Sequence, residues 1–406
     1  MSFSNDRRLR YYSYRDDFGP LNMSSTTHFI QLLDDMIAEC ASQSIHQLVY
    51  AVDSGRRPLT NAVMLLGCYM ILKMDMTPDQ VAARFAWIGD ERLEDFRDAT
   101  SLPADFGLTL LDCWGGLHRG TQLRWVARPS HPGSPFWGGI DMEQYDHYDD
   151  PLEADLVEVV PLKLVAFRGP KDLGGAKYRD DEARMTRRFG PEHFAEVLRD
   201  LDVSDVVRLN APEYDAGVFA AAGIRHHELF FEDCTEPPPD VIAAFLRIVD
   251  AAAGVVAVHC LAGLGRTGTL IALYMMRSHG FTAREAMGWL RIMRPGSVIG
   301  EQQRFLCAVE RTVRAAPGGG GGGGWDWVAG SGMLASSGGR RPGLGGPGVC
   351  RSNSGPAVGG AGDADAGGSA AARSREEAAQ VAGAMGPQSA ARARAGRAGR
   401  GQGRTL

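Results

Sequence analysis

Three observations predict an α/β fold built from two related units. Short apolar runs rich in β-branched residues alternate with helix-like stretches through the second half of the chain. A strand, a glycine-containing loop and an apolar helix occur twice. From Pro317 onward the residues that build a core are nearly absent. The alternation implies a central, mostly parallel sheet flanked by helices, because parallel neighbours need long crossovers, usually helical.

The strand-like runs are KLVAF at 163–167, DVVRLN at 205–210, IRHHELFF at 224–231 and GVVAVH at 254–259. Between them lie PEHFAEVLRD at 191–200 and PDVIAAFLRIVDA at 239–251, whose apolar residues recur at helical spacing. The repeat rests on AVDSGRRPLTNAVMLLGCYM at 51–70, which lies over AVHCLAGLGRTGTLIALYM at 257–275 at an offset of 206. TPDQVAARF at 77–85 then lies over TAREAMGWL at 282–290 at an offset of 205. Each copy reads as strand, loop, helix, turn and second helix, the pattern of a duplicated unit. In the first copy Ser54 and Thr60 stand where Cys260 and Arg266 stand in the second. The acidic stretch GIDMEQYDHYDDPLEAD at 139–155 reads as a linker with a short helix. The expected division is 1–155, 156–316 and a disordered Gly/Ala/Arg-rich tail over 317–406 that opens on seven glycines, Gly318 to Gly324.

The formal charge of −6 is unevenly spread: residues 331–406 hold ten arginines against four acids, which leaves the body near −12. An acidic body disfavours nucleic acid and suits a basic partner. The tail arginines Arg392, Arg394, Arg397, Arg400 and Arg404 allow at most weak nucleic-acid contact or a role in nuclear import, and Trp325 and Trp327 read as incidental. Seven scattered cysteines with no CxxC spacing imply reduced thiols and no metal or other cofactor, in a nuclear or cytoplasmic setting. Neither a signal peptide nor an apolar run of the ~18 residues needed to cross a bilayer is present, so no membrane insertion is expected.

The chemistry concentrates in HCLAGLGRTG at 259–268, between an apolar strand and an apolar helix. Cysteine, five residues, then arginine is the spacing with which a loop folds around a tetrahedral oxyanion. The backbone amides of His259, Leu261, Ala262, Gly263, Leu264 and Gly265 form such a loop, and the following helix adds its positive end. That field favours a thiolate at Cys260, the form that attacks phosphorus. Arg266 can grip two phosphoryl oxygens at once, and Thr267 can donate its hydroxyl to the sulfur. His259 reads as ordering the loop by hydrogen bonding. An acid must protonate the leaving oxygen, and Asp233, in LFFEDCTEPPPD at 229–240, is preferred over Glu232 and Asp240 because it follows a strand end. In RPGSVIGEQQRF at 294–305, Gln302 and Gln303 are candidates for positioning the hydrolytic water.

These strings together resemble the cell-division-cycle-fourteen family of proline-directed dual-specificity phosphatases. The likeness spans residues 10 to 315 and includes DFGPLN at 17–22, FRDA at 96–99, LLDC at 110–113, YDHY at 145–148, AGLGRTGTLIA at 262–272 and RPGSVIG at 294–300. The resemblance implies two tandem dual-specificity-phosphatase-like domains, only the second catalytic. It implies hydrolysis of phosphoserine before proline, and of phosphothreonine and phosphotyrosine, through a phosphocysteine, on phosphoprotein substrates with nearby basic residues. Those substrates would lie in an acidic groove between the domains, for which Asp98, Asp112, Asp146 and Asp149 are the candidates by position in the matching motifs. A cell-cycle or ciliary role, with centrosomal or ciliary placement, follows from the same resemblance. Two positions depart from the family pattern: Leu261 where lysine is common, and Cys234 where the acid is usually followed by glycine. The rival readings are a phosphoinositide phosphatase, disfavoured by the apolar Leu261 and Leu264, and a catalytically impaired phosphoprotein-binding scaffold.

Overall fold

The computed structural model describes residues 1–4, 9–100, 103–181 and 186–315. The expected disordered tail lies outside them, as do its tryptophans and arginines.

In chain order the elements are β1 (Ser2–Ser4), α1 (Met23–Ser42), β2 (Val49–Ala51), α2 (Arg56–Met74), α3 (Pro78–Phe85), α4 (Leu110–Gln122), β3 (Phe136–Trp137), β4 (Ile140–Asp141), α5 (Met142–Asp149), β5 (Leu156–Val160), β6 (Leu164–Phe167), β7 (Tyr178–Asp181), β8 (Thr186–Phe189), α6 (Pro191–Asp200), β9 (Val203–Arg208), α7 (Gly217–Ala221), β10 (Arg225–Glu228), α8 (Pro239–Ala251), β11 (Val255–His259), α9 (Gly265–His279), α10 (Ala283–Met293) and α11 (Glu301–Ala315). Apart from Asp181 and Thr186, the described residues fall in one compact body.

The second half holds a five-stranded sheet ordered β10-β9-β11-β6-β5. Its pairings are parallel except for β5, which runs antiparallel to β6. Successive side chains of a strand face opposite sides, and the core divides accordingly. Val256 and Val258 of β11, with Leu164 and Ala166 of β6, join the cluster under α8, α9 and α10. Val255 and Ala257, with Val165 and Phe167, join a second cluster under α6 and α7. All five residues of β11 are buried, as expected of a central parallel strand covered on both faces.

The repeat is visible in the element boundaries. β2 and β11 begin 206 residues apart, at Val49 and Val255. α3 and α10 each begin at a capping box, Thr77 with Gln80 and Thr282 with Glu285, in which the threonine hydroxyl and the side chain three residues later satisfy each other's amides. The first copy differs in its sheet. Among the described residues of the first half, β2 pairs with β1 alone, in parallel, β3 and β4 form a separate two-stranded ribbon, and much of the apolar core lies on helices α1, α2 and α4. The mixed α/β class holds for the chain, while the large sheet belongs to the second half. Its strand β5 is an addition to the sequence reading, which treated 139–155 as linker and began the sheet at 163; α5 falls within that linker.

Both halves share one core: Val63, Met64, Cys68, Trp114 and Leu117 pack in the same cluster as Leu270, Met287, Trp289 and Leu290. At its centre α4 lies against α10 at backbone distance. A Cβ on Gly116 would fall 2.4 Å from Glu285 O and 2.6 Å from Trp289 N, and one on Gly288 would fall 2.6 Å from Asp112 O. Neither neighbour can yield, because each is main chain. Gly116→Ala is therefore expected to cost about 1–3 kcal/mol by overpacking, read as a lower urea midpoint. An unchanged midpoint would show that the helices have room between them.

Candidate active site

The loop between β11 and α9 is shaped from behind. Cys260 O accepts from His259 Nδ1 at 2.9 Å and Leu261 O from Gly169 N at 3.1 Å. Ala262 O and Gly263 O accept from Arg294 at 3.0 and 2.9 Å. Leu264 O accepts from Gly268 N at 2.9 Å and from Val298 N at 3.3 Å. In a trans peptide the carbonyl and the next N–H point in opposite directions, so five carbonyls held outward aim the N–H groups of residues 261–265 inward. Among the described residues, none of those five N–H groups donates a hydrogen bond. Gly263 has a φ of +69°, and a Cβ there would meet Phe167 O at 2.1 Å, so the turn and the close approach both require glycine.

Cys260, at the end of β11, is 3% exposed. Arg266 follows in the first turn of α9, which begins at Gly265. Its Nη1 donates to Phe231 O at 3.0 Å and Leu209 O at 3.3 Å, which holds the guanidinium flat and leaves its Nε edge to the site. Arg266 Nε and Thr267 Oγ1 are both buried and have no hydrogen-bond partner among the described residues. Buried donors are normally satisfied, and these two beside a ring of inward amides make a set complementary to a tetrahedral oxyanion.

The loop 229–240 brings its acid to this point. Asp233 Oδ1 lies 3.2 Å from Arg266 Nε and accepts from Cys234 N at 3.1 Å. Of its competitors, Glu232 is exposed and Asp240 sits in the first turn of α8. Cys234 has a φ of +59°, a left-handed conformation that favours glycine. Gln302 spans the same gap, donating to Thr235 O at 3.2 Å and lying close enough that a Cβ on Gly265 would meet its Oε1 at 3.0 Å.

His259 is buried among Phe167, Tyr214 and the loop. Since Nδ1 faces a carbonyl it carries the proton, so Nε2 accepts from Tyr214 Oη at 2.6 Å. Burial pushes its pKa down to about 3, so the ring is a neutral strut. Tyr214 Oη also lies 2.9 Å from His226 Nε2, which extends the chain away from the loop. Tyr214, Arg294 and Gly169 were missed by sequence reasoning, because each meets the loop from a distant part of the chain. Arg294 does open a motif that was noted, but nothing in the string shows what it touches.

Three residues assigned from sequence prove to hold the two halves together. Asp98 is buried and accepts from Gly300 N at 2.6 Å, Thr100 Oγ1 at 3.0 Å and Gln303 Nε2 at 3.3 Å. Gln303 Oε1 in turn accepts from Arg291 at 2.6 Å, so both ends of this amide are taken and it is withdrawn as a water-positioning candidate. Asp112 closes the capping box of α4 and pairs with Arg284 at 2.8 Å. Asp98 and Asp112 are thus structural carboxylates rather than groove residues. Asp146 and Asp149 lie on α5, Asp146 exposed and Asp149 half-buried with a hydrogen bond from Asn22. Among the described residues no group of three His, Cys, Asp or Glu side chains is arranged to hold a metal ion, and no helix is long and apolar enough to cross a membrane.

Residues 1–120 match the family model "Dual specificity protein phosphatase, N-terminal half", and residues 184–307 match "Swiss Army Knife protein, DSP-PTPase phosphatase domain". The chain is 35% identical over 307 residues to dual specificity protein phosphatase CDC14C of Homo sapiens, covering 75% of this chain and 64% of that protein. It is 34% identical over 304 residues to dual specificity protein phosphatase CDC14B of Mus musculus, covering 75% and 59%. Against the tyrosine-protein phosphatase CDC14 homolog of Schizosaccharomyces pombe it is 36% identical over 312 residues, covering 75% and 55%. The chain thus spans between 55% and 64% of the length of these three relatives.

Two outcomes follow from the site's local structure. Cys234→Gly removes a left-handed cost and is expected to raise stability by about 1 kcal/mol, read in urea unfolding. His259, neutral when folded and with an ordinary pKa near 6.5 when unfolded, contributes stability present above pH ~6.5 and lost as pH falls toward 3. Unfolding at pH 5 should show about 2 kcal/mol less from this residue than at pH 7.5, and the difference should shrink in His259→Asn.

Proposed function

This chain belongs to the CDC14 family of dual-specificity phosphatases, and from that membership we propose that it hydrolyses phosphate esters on protein through a phosphocysteine at Cys260. The observation that carries the reading is the loop with every carbonyl from Cys260 to Leu264 held outward, next to Arg266 Nε and Thr267 Oγ1, two buried donors without a hydrogen bond in the described structure. Such a cradle is complementary to a phosphoryl group whose charge grows on its equatorial oxygens.

In the first step Cys260 Sγ bonds phosphorus as the bond to the serine, threonine or tyrosine oxygen breaks. Asp233 passes its proton to that oxygen. In the second, water bonds phosphorus as the P–S bond breaks, and its proton goes to Asp233. Arg266 and the loop amides stabilise both transition states, while Thr267 Oγ1 donates to the departing sulfur. Gln302, whose Nε2 donates to Thr235 O and whose Oε1 holds only a long 3.5 Å contact from Ile299 N, against the 2.6 Å bond on Gln303 Oε1, is the amide assigned to orient the water.

The proposed substrate class is phosphoserine followed by proline with a basic residue nearby. Family membership supports it, and so does the acidic α5 with Asp146 and Asp149, whose charge suits a basic peptide. Asp98 and Asp112, engaged in bonds between the two halves, are left out of that recognition.

The test compares turnover of a Ser-Pro phosphopeptide with a downstream lysine, its Ser-Ala analogue, an activated aryl phosphate and a phosphoinositide. Wild type is expected to prefer the Ser-Pro peptide, and Cys260→Ser to lose all turnover. Asp233→Asn should lower kcat on the phosphoserine peptide about 10²–10⁴-fold and affect the aryl phosphate much less, since that leaving group needs little protonation. A preference for the phosphoinositide would favour a lipid substrate, and a folded wild type inert toward all four would favour a scaffold.

A further inference from the structure

Arg294 ends α10 and is 3% exposed, yet it touches no position a substrate would occupy. Its guanidinium meets two successive carbonyls of the loop, Nε donating to Gly263 O at 2.9 Å and Nη2 to Ala262 O at 3.0 Å. Nη2 also lies 2.8 Å from Asp155 Oδ1, while Asp155 Oδ2 lies 3.4 Å from Arg168 Nε. Burial pulls the pKa of Arg294 down, and the negative groups around it, Asp155 foremost with Tyr14 and Asp149, together outweigh that, so the net direction is upward. Asp155 is itself set by backbone: its N–H donates to Asp150 O at 3.1 Å and its carbonyl accepts from Arg168 N at 3.1 Å.

We propose that Arg294, braced by Asp155, is a positioning residue for the phosphate-binding loop, turning the amides of Gly263 and Leu264 toward the phosphoryl group by holding the two carbonyls behind them. The inference rests on the phosphatase reading above. A peptide plane pivots as a unit, so a carbonyl fixed on one side fixes the amide on the other. Two adjacent planes are fixed by one planar, forked cation, which a lysine cannot imitate because its ammonium is a point. The buried charge also lies directly behind the loop, where a low dielectric strengthens its attraction for an anion on the other side. Asp155 immediately precedes β5, the first strand of the catalytic half, so the loop is braced from that half's entry point.

The test uses the full chain with Arg294→Met, Arg294→Lys and Asp155→Asn. The measurements are hydrolysis of p-nitrophenyl phosphate, the inhibition constant of orthovanadate, the pH dependence of inactivation by iodoacetate, and the thermal midpoint. Arg294→Met is expected to weaken vanadate inhibition and kcat together by about a hundredfold, as for loss of an oxyanion donor, and to move the alkylation midpoint to higher pH. Arg294→Lys should recover only a small part of this, and Asp155→Asn should lose about tenfold in vanadate inhibition. A packing role alone would lower the thermal midpoint while leaving the vanadate constant and the alkylation midpoint of the folded enzyme at wild-type values, and that result overturns the proposal. If Arg294→Met does not fold, Asp155→Asn decides, and a vanadate constant within twofold of wild type overturns it. A folded wild type that neither turns over an ester nor is protected by vanadate sinks the phosphatase reading itself, which separates the two failures.

Discussion

The contact of α4 with α10 is the constraint on which the rest of the molecule depends. Helices normally meet through side chains, and these two meet through main chain, since Gly116 and Gly288 leave no Cβ between them. The approach fixes α10 relative to the first half with little freedom to slide. Gly120 extends the fit, because its open side receives the ring of Trp289, whose indole N–H is satisfied by Val159 O of β5 at 2.9 Å. One tryptophan thus ties the first half, α10 and the catalytic sheet together.

What α10 carries explains why that placement matters to chemistry. Arg291 and Arg294 leave its last turn and C-cap in two directions. Arg291 donates to Phe96 O of the first half at 3.2 Å and to Ser297 O and Val298 O of the following loop at 3.1 Å. Burial pulls its pKa down and Asp98 opposes this, and Gln303 bridges the two, so the three act as a buried clamp. The clamp holds Val298 at a φ of +60°, an unusual conformation for a β-branched residue, and from there Val298 N reaches Leu264 O of the phosphate loop. Arg294 reaches the two preceding carbonyls. The first half therefore contributes to the loop's shape through the α10 junction.

Electrostatics in the site follows one plan. Cations stand behind the loop and beside it, in Arg294 and Arg266, while the nearest histidine is kept neutral by burial. Carboxylates are paired with these cations: Asp155 against Arg294 and Asp233 against Arg266. A phosphoryl dianion entering the loop would meet Arg266 Nε at the place Asp233 Oδ1 now approaches, so the acid and the substrate share one cationic edge.

The loop from Cys260 to Arg266 and the order of strands and helices around it were legible in the sequence, because each rests on local chemistry: a glycine-bearing turn between a β-branched run and an apolar helix. The duplication was legible for the same reason, down to matching capping boxes at Thr77 and Thr282. The roles of Asp98, Asp112 and Gln303 were not, since an acid or amide in a string looks the same whether it faces solvent or a buried guanidinium. Nor was the missing large sheet of the first half, which depends on whether β2 finds neighbours. Only the tertiary structure decided what stands behind the carbonyls of residues 261–264, because donors from residues 169, 294 and 298 reach them, and a hydrogen bond between distant segments leaves no periodicity to read.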